Sequence, residues 1–102
     1  MGARGAPPPR TLLLEVYEPL ARSDVPGLYA RTCTLLAEHE INLVLCSVAG
    51  VAADAVAVEA LARLQVAARR RGSEVRLREA SPDLLALLDL MGLREALPEE
   101  CP

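Results

Sequence analysis

The sequence predicts an α/β layer domain in which parallel strands alternate with crossover helices. Three observations predict it. Apolar periods of two and of about 3.6 succeed one another in the order β-turn-α-β-α-β-α. Helix caps stand at Asp54 and Ser81, and glycines able to end the two helices follow at Gly72 and Gly92. At 102 residues, 52% of them hydrophobic, the chain fills one core and lacks the roughly 50 to 100 further residues that a second would need.

Residues 1–10 are rich in Gly, Pro and Arg and contain no apolar stretch, so they read as a disordered tail and not as a signal peptide. Residues 11–17 alternate, with Leu12, Leu14 and Val16 on one side, and form the first strand. Residues 18–22 read as a turn or a very short extended piece. Ser23 and Asp24, with Pro26 close behind, start a helix expected to run to about Glu40. Its inner side is Val25, Leu28, Thr32, Leu35, Leu36 and His39. Residues 41–48 are almost continuously apolar, which predicts a central strand covered on both faces. Asp54 caps a helix through Arg71 with Ala57, Leu61, Leu64 and Ala68 inward. Residues 74–79 alternate, Val75 and Leu77 inward, Arg76 and Arg78 toward solvent. Ser81, Pro82 and Asp83 start the last helix. A sheet of four strands, with room for a fifth short piece, is expected. The domain spans residues 11–98, and residues 99–102 are left as a C-terminal tail.

Charge and composition remove several function classes. A net charge of -3 is wrong for a duplex nucleic-acid footprint, whose affinity comes from basic surface over phosphates. With no Trp, no Phe and two Tyr, there is no stacking platform for single strands. No apolar run approaches the ~18 residues of a membrane span, so direct membrane insertion is not expected. Cys33, Cys46 and Cys101 are odd in number and form no C-x-x-C, which suits a reducing, cytoplasmic compartment. A small-molecule or protein partner is the class left.

Catalytic groups are sparse. The single histidine, His39, lies six positions from Cys33 on one helix, about 240° round it, so the two form no dyad. His39 reads as structural and Cys46 as a small buried apolar residue. Residues 49–53 contain one glycine, and neither G-x-G-x-x-G nor the P-loop pattern is present. A carboxylate already occupies the cap at Asp54, which repels an anion, and no His, Cys and carboxylate cluster has ligand spacing. No cofactor or metal is expected, and the chain reads as a non-enzyme. What remains is surface. The outer side of the second helix carries Ala55, Glu59, Ala62, Arg63, Val66 and Arg70, either an ordinary solvated face or one a partner approaches. The last helix is apolar over a wider arc, with Leu87 and Leu90 beyond Leu84, Leu88 and Met91. Either Leu93 and Leu97 cover it or a protein does.

From residue 41 onward the order of pieces is Leu43-Val44-Leu45-Cys46-Ser47-Val48, Asp54, Ala60-Leu61-Ala62-Arg63-Leu64 and Ala67-Ala68-Arg69-Arg70-Arg71-Gly72. Val75-Arg76-Leu77, Ala80-Ser81-Pro82, Leu84, Leu88, Met91-Gly92-Leu93 and Leu97-Pro98 follow. This order and spacing resembles the STAS domain family of bacterial anti-sigma factor antagonists and related modules. The resemblance implies a small mixed sheet with helices, in which a hairpin precedes the first helix and its second strand falls in residues 18–22. In phosphorylated members an Asp-Ser pair begins the second helix, and a partner kinase, itself the anti-sigma factor, modifies the Ser to switch binding off. Here Asp54 stands at the Asp and Ala55 at the Ser, and neighbouring Ala53 and Val56 lack a hydroxyl too. The charge of about -2 that a phosphate brings has no oxygen to sit on.

The function implied is a non-catalytic interaction module of transcription regulation, an anti-sigma factor antagonist or a related regulator without a serine phosphoswitch. Its partner would be a histidine-kinase-like anti-sigma factor, met by Asp54, Ala55, Glu59, Ala62, Arg63 and Val66. A homodimer is compatible with this reading. The alternatives are a cytosolic accessory subunit of a membrane lipid-transport complex and, in another class, a small α/β enzyme or nucleotide-binding protein.

Overall fold

The computed structural model describes residues 10–16 and 21–100. Three strands, β1 (Thr11–Glu15), β2 (Leu43–Ser47) and β3 (Glu74–Arg78), alternate with α1 (Val25–Glu38), α2 (Ala55–Arg70) and α3 (Pro82–Leu90). The chain is therefore the α/β fold that the periodicities predict. The strands are parallel throughout and lie in the order β1-β2-β3, with Thr11 beside Leu43 and Leu43 beside Glu74. No antiparallel pair occurs among the described residues. The hairpin implied by the STAS resemblance falls mostly on residues 17–20, outside them, as does the tail expected at residues 1–10 except for Arg10.

Both crossovers step across the sheet in the same direction. With the usual right-handed connection, that puts their helices on one face. Burial follows this geometry. Val44, Cys46, Val75 and Leu77 are fully buried under the helices, and Leu12 and Leu14 pack against the same core. The residues between them stay half-buried or exposed, Leu13 at 65%. Residues 41–48 do hold the middle of the sheet, but the expectation of cover on both faces is corrected: Leu43 and Leu45 are only half-buried, on the side that carries none of the described helices. A continuous apolar run does not by itself mean two buried faces.

Among the described residues there are three strands of the four expected, plus a parallel bridge between Leu77 and Glu99. Residues 99 and 100 are thus not free tail: Leu77 N–H donates to Pro98 O at 2.9 Å, and Glu100 N–H donates to Leu77 O at 2.8 Å. Two residues earlier on the same outer edge, a side chain does the work of a neighbouring strand. Buried Gln65 of α2 accepts from Val75 N–H at 2.8 Å on Oε1, and its Nε2 donates to Val75 O at 3.0 Å and Ala96 O at 2.6 Å. An edge strand's polar groups are thereby satisfied.

The helices begin and end as their sequence dictates. Ser81 Oγ accepts from Leu84 N–H at 3.1 Å ahead of Pro82. Gly72 and Gly92 follow α2 and α3 at φ of 77° and 74°, the left-handed region that an L side chain resists. At α1, Asp24 does not cap the helix with its side chain. A short 3₁₀ turn, Arg22–Asp24, precedes α1, and the Asp24 carboxylate accepts from Ala21 N–H at 2.9 Å. Val25, Leu28, Thr32 and Leu36 are buried, whereas His39 ends the helix exposed. Leu97 is buried and Leu93 packs against the core, so neither tail leucine covers Leu90, which is 83% exposed.

Candidate protein-docking surface

Helix α2 supplies the surface because its two sides differ in kind. Asp54, in extended backbone, accepts from Ala57 N–H at 2.9 Å on Oδ1 and so satisfies one of the first free donors. Arg69 and Arg70 close the far end, where the helix dipole favours cations. Between the ends, Ala57, Leu61, Leu64 and Ala68 are buried, with Val58, Ala60 and Ala67 widening the stripe. On the opposite spacing Glu59 and Ala62 are half-buried and Arg63, Val66 and Arg70 are exposed, Val66 at 49%.

Helix α1 packs alongside α2. The half-buried Tyr29 of α1 faces these residues across a groove of about 400 Å³, lined by Tyr29, Glu59, Ala62, Arg63, Val66 and Arg70. Glu59 is held between two cations, Arg22 before α1 at 2.5 Å and Arg63 one turn on at 3.1 Å. Exposed pairs of this kind contribute little to stability, about 0.2–1 kcal/mol each, but they fix the carboxylate at one end of the groove. Arg70, at the other end, takes part in none of the ion pairs among the described residues. The groove therefore offers an apolar floor with a compensated end and an uncompensated cationic end.

Four of the six residues expected to meet a partner, Glu59, Ala62, Arg63 and Val66, come together in this groove. Asp54 and Ala55 are exposed at the start of α2 but do not line it, and the Asp54 carboxylate is engaged as the cap. Sequence reasoning did not include Tyr29 or Arg22. Tyr29 has a signal, since it sits four residues after buried Val25 and three before buried Thr32, on the flank of the apolar stripe. Arg22 has none, because it precedes the helix and its partner is 37 residues away.

Other chemistry is thin among the described residues. They contain no group of three His, Cys, Asp or Glu placed to hold a metal, and no helix long and apolar enough to cross a membrane. Cys33 and Cys46 are unpaired. Burial pushes the Cys46 thiol up to about 12, so the neutral form prevails. Alkylation of the folded protein at pH 8 should therefore leave Cys46 unmodified, and peptide mass mapping should find it labelled only after unfolding. The sign of the pH effect follows. Above about pH 9 the unfolded chain loses this proton while the folded one keeps it, so the group lowers stability by about 1.4 kcal/mol per pH unit up to its folded value.

No protein-family model matches the chain, and comparison with curated proteins finds no match. The reading of this surface rests on its own geometry.

Proposed function

We propose that the protein is a non-catalytic, STAS-like interaction module of the bacterial cytoplasm, an anti-sigma factor antagonist or related regulator, that binds its partner in the groove between α1 and α2. The observation that carries this reading is the convergence of Glu59, Ala62, Arg63 and Val66 with Tyr29 in that groove. The partner that fits best is a histidine-kinase-like anti-sigma factor. With Ala55 where a phosphoacceptor serine would stand, its binding is not switched by phosphate at that position.

The test is titration calorimetry against purified histidine-kinase-like ATPases, using the wild type, Ala62→Arg and Val66→Glu. Both substitutions place bulk or charge in the groove and should abolish binding. Val66→Glu, at an exposed position, should leave the thermal midpoint within a few degrees, because such changes fall within about 0.5 kcal/mol, and melts of Ala62→Arg, at a half-buried position, check that it is folded. Binding that survives both variants overturns the groove as the docking site. Binding to a transport ATPase in place of an anti-sigma factor assigns the accessory role.

A further inference from the structure

The groove between α1 and α2 carries a charge opposite to that of the whole chain, whose net charge is -3. Around it, Arg22, Arg63 and Arg70 stand against a single carboxylate, Glu59. Glu59 pairs with two of the three guanidinium groups, so that end keeps one positive charge over. Arg63 meets Glu59 through one nitrogen and keeps donors for a second carboxylate. Arg70 supplies the other positive charge, and it takes part in none of the ion pairs among the described residues. Between the charged ends lie Ala62 and exposed Val66, with half-buried Tyr29 across from them.

Spacing turns this into a pattern. Arg63 and Arg70 are seven residues apart on one helix, which is about two turns and about 10.5 Å. Val66 falls three residues after Arg63 and four before Arg70, so all three share one flank of α2. We infer, on the reading that this groove is the docking site, that its occupant is an acidic amphipathic helix of the partner. The side of that helix toward the groove carries a carboxylate at i, apolar side chains at i+3 and i+4, and a carboxylate at i+7. The apolar pair covers Ala62 and Val66, and the carboxylates, themselves two turns apart, reach Arg63 and Arg70. A helix suits the place because packed helices leave furrows between their ridges that a further helix can fill. A uniformly anionic surface, such as a nucleic-acid backbone, sets charge against the apolar centre and meets the net -3 of the chain.

Fluorescence anisotropy with a labelled, alanine-based peptide of about 18 residues, long enough to hold a helix, tests this. The peptide carries Glu, Leu, Leu and Glu at the four positions, and a control carries Lys in place of both Glu. The wild type should bind the acidic peptide about tenfold or more tighter than the control, and added salt should narrow the gap. Arg70→Glu should weaken the acidic peptide about tenfold or more, and Val66→Glu should abolish its binding. Of two peptides with a single Lys, at i or at i+7, one should restore binding to Arg70→Glu to within about threefold. Both substitutions are at exposed positions, and circular dichroism melts confirm that the variants are folded.

A wild type that binds neither peptide, or both alike, overturns the proposal, as does binding that survives Arg70→Glu or Val66→Glu. If the ATPases bind in the groove and the acidic peptide does not, the groove stands and its acidic occupant is wrong. If the peptide binds and no ATPase does, the occupant stands and the partner's identity is wrong.

Discussion

Gln65→Leu should lower the unfolding free energy by about 2–5 kcal/mol, although the two side chains are similar in size and leave little cavity. The loss is in hydrogen bonds. Val75 N–H, Val75 O and Ala96 O all depend on the Gln65 amide, and Gln65 and Val75 are buried. Leaving a buried polar group without a partner costs about 1–3 kcal/mol, and the three are coupled, so their costs do not simply add. Urea denaturation measures the difference directly. Gln65→Glu is the informative companion. Its carboxylate still accepts from Val75 N–H but faces two carbonyl oxygens, and its deficit should shrink as the pH falls and the acid regains one donor. A Gln65→Leu variant as stable as the wild type would mean that the outer edge of β3 finds water or another partner.

Leu61→Ala should cost about 2–5 kcal/mol through lost burial and the cavity left behind, since Leu61 is 2% exposed in the centre of the core. For a chain of this length that is a fall in midpoint of roughly 10–30 °C. The adjacent substitution, Ala62→Arg, sits about 100° further round the helix on the half-buried flank that lines the groove and should cost clearly less than Leu61→Ala. Thermal melts of the two variants side by side separate the faces of α2. If Ala62→Arg unfolds the domain as Leu61→Ala does, the groove has been placed on the wrong side of the helix.

The elements that the sequence made legible are those whose signals are local. Asp54 and Ser81 cap helices because a short side-chain oxygen can reach a backbone N–H three residues on. Residues 74–79 alternate cleanly because one side of β3 is wet. Residues 41–48 misled on the second face, since Leu43 and Leu45 are apolar yet only half-buried, and only the direction of both crossovers tells which face carries none of the described helices. Gln65 was invisible for a related reason. A glutamine between Leu64 and Val66 reads as an interruption of an apolar stripe, and its partners lie 10 and 31 residues away. At the groove, the α2 residues were readable from one wheel, but Tyr29 and Arg22 join them only once α1 lies beside α2.

The order β1-β2-β3, identical in space and in sequence, also governs how the molecule comes together. Each strand pairs with the next one along the chain, about 31 or 32 residues on by the register, and no strand is inserted between two already paired. Assembly can therefore advance one strand-helix step at a time, each step closing a loop of similar length and similar entropy. The route has a natural middle. The Gln65 clamp joins α2 to β3, and with β2 they hold most of the core, whereas β1 adds to one edge of a sheet that is already paired on its other side. The same asymmetry runs backward in the folded state, where β1 can leave and return while β2 and β3 remain joined, so that the end of the sheet carrying Leu13 opens at the lowest free energy.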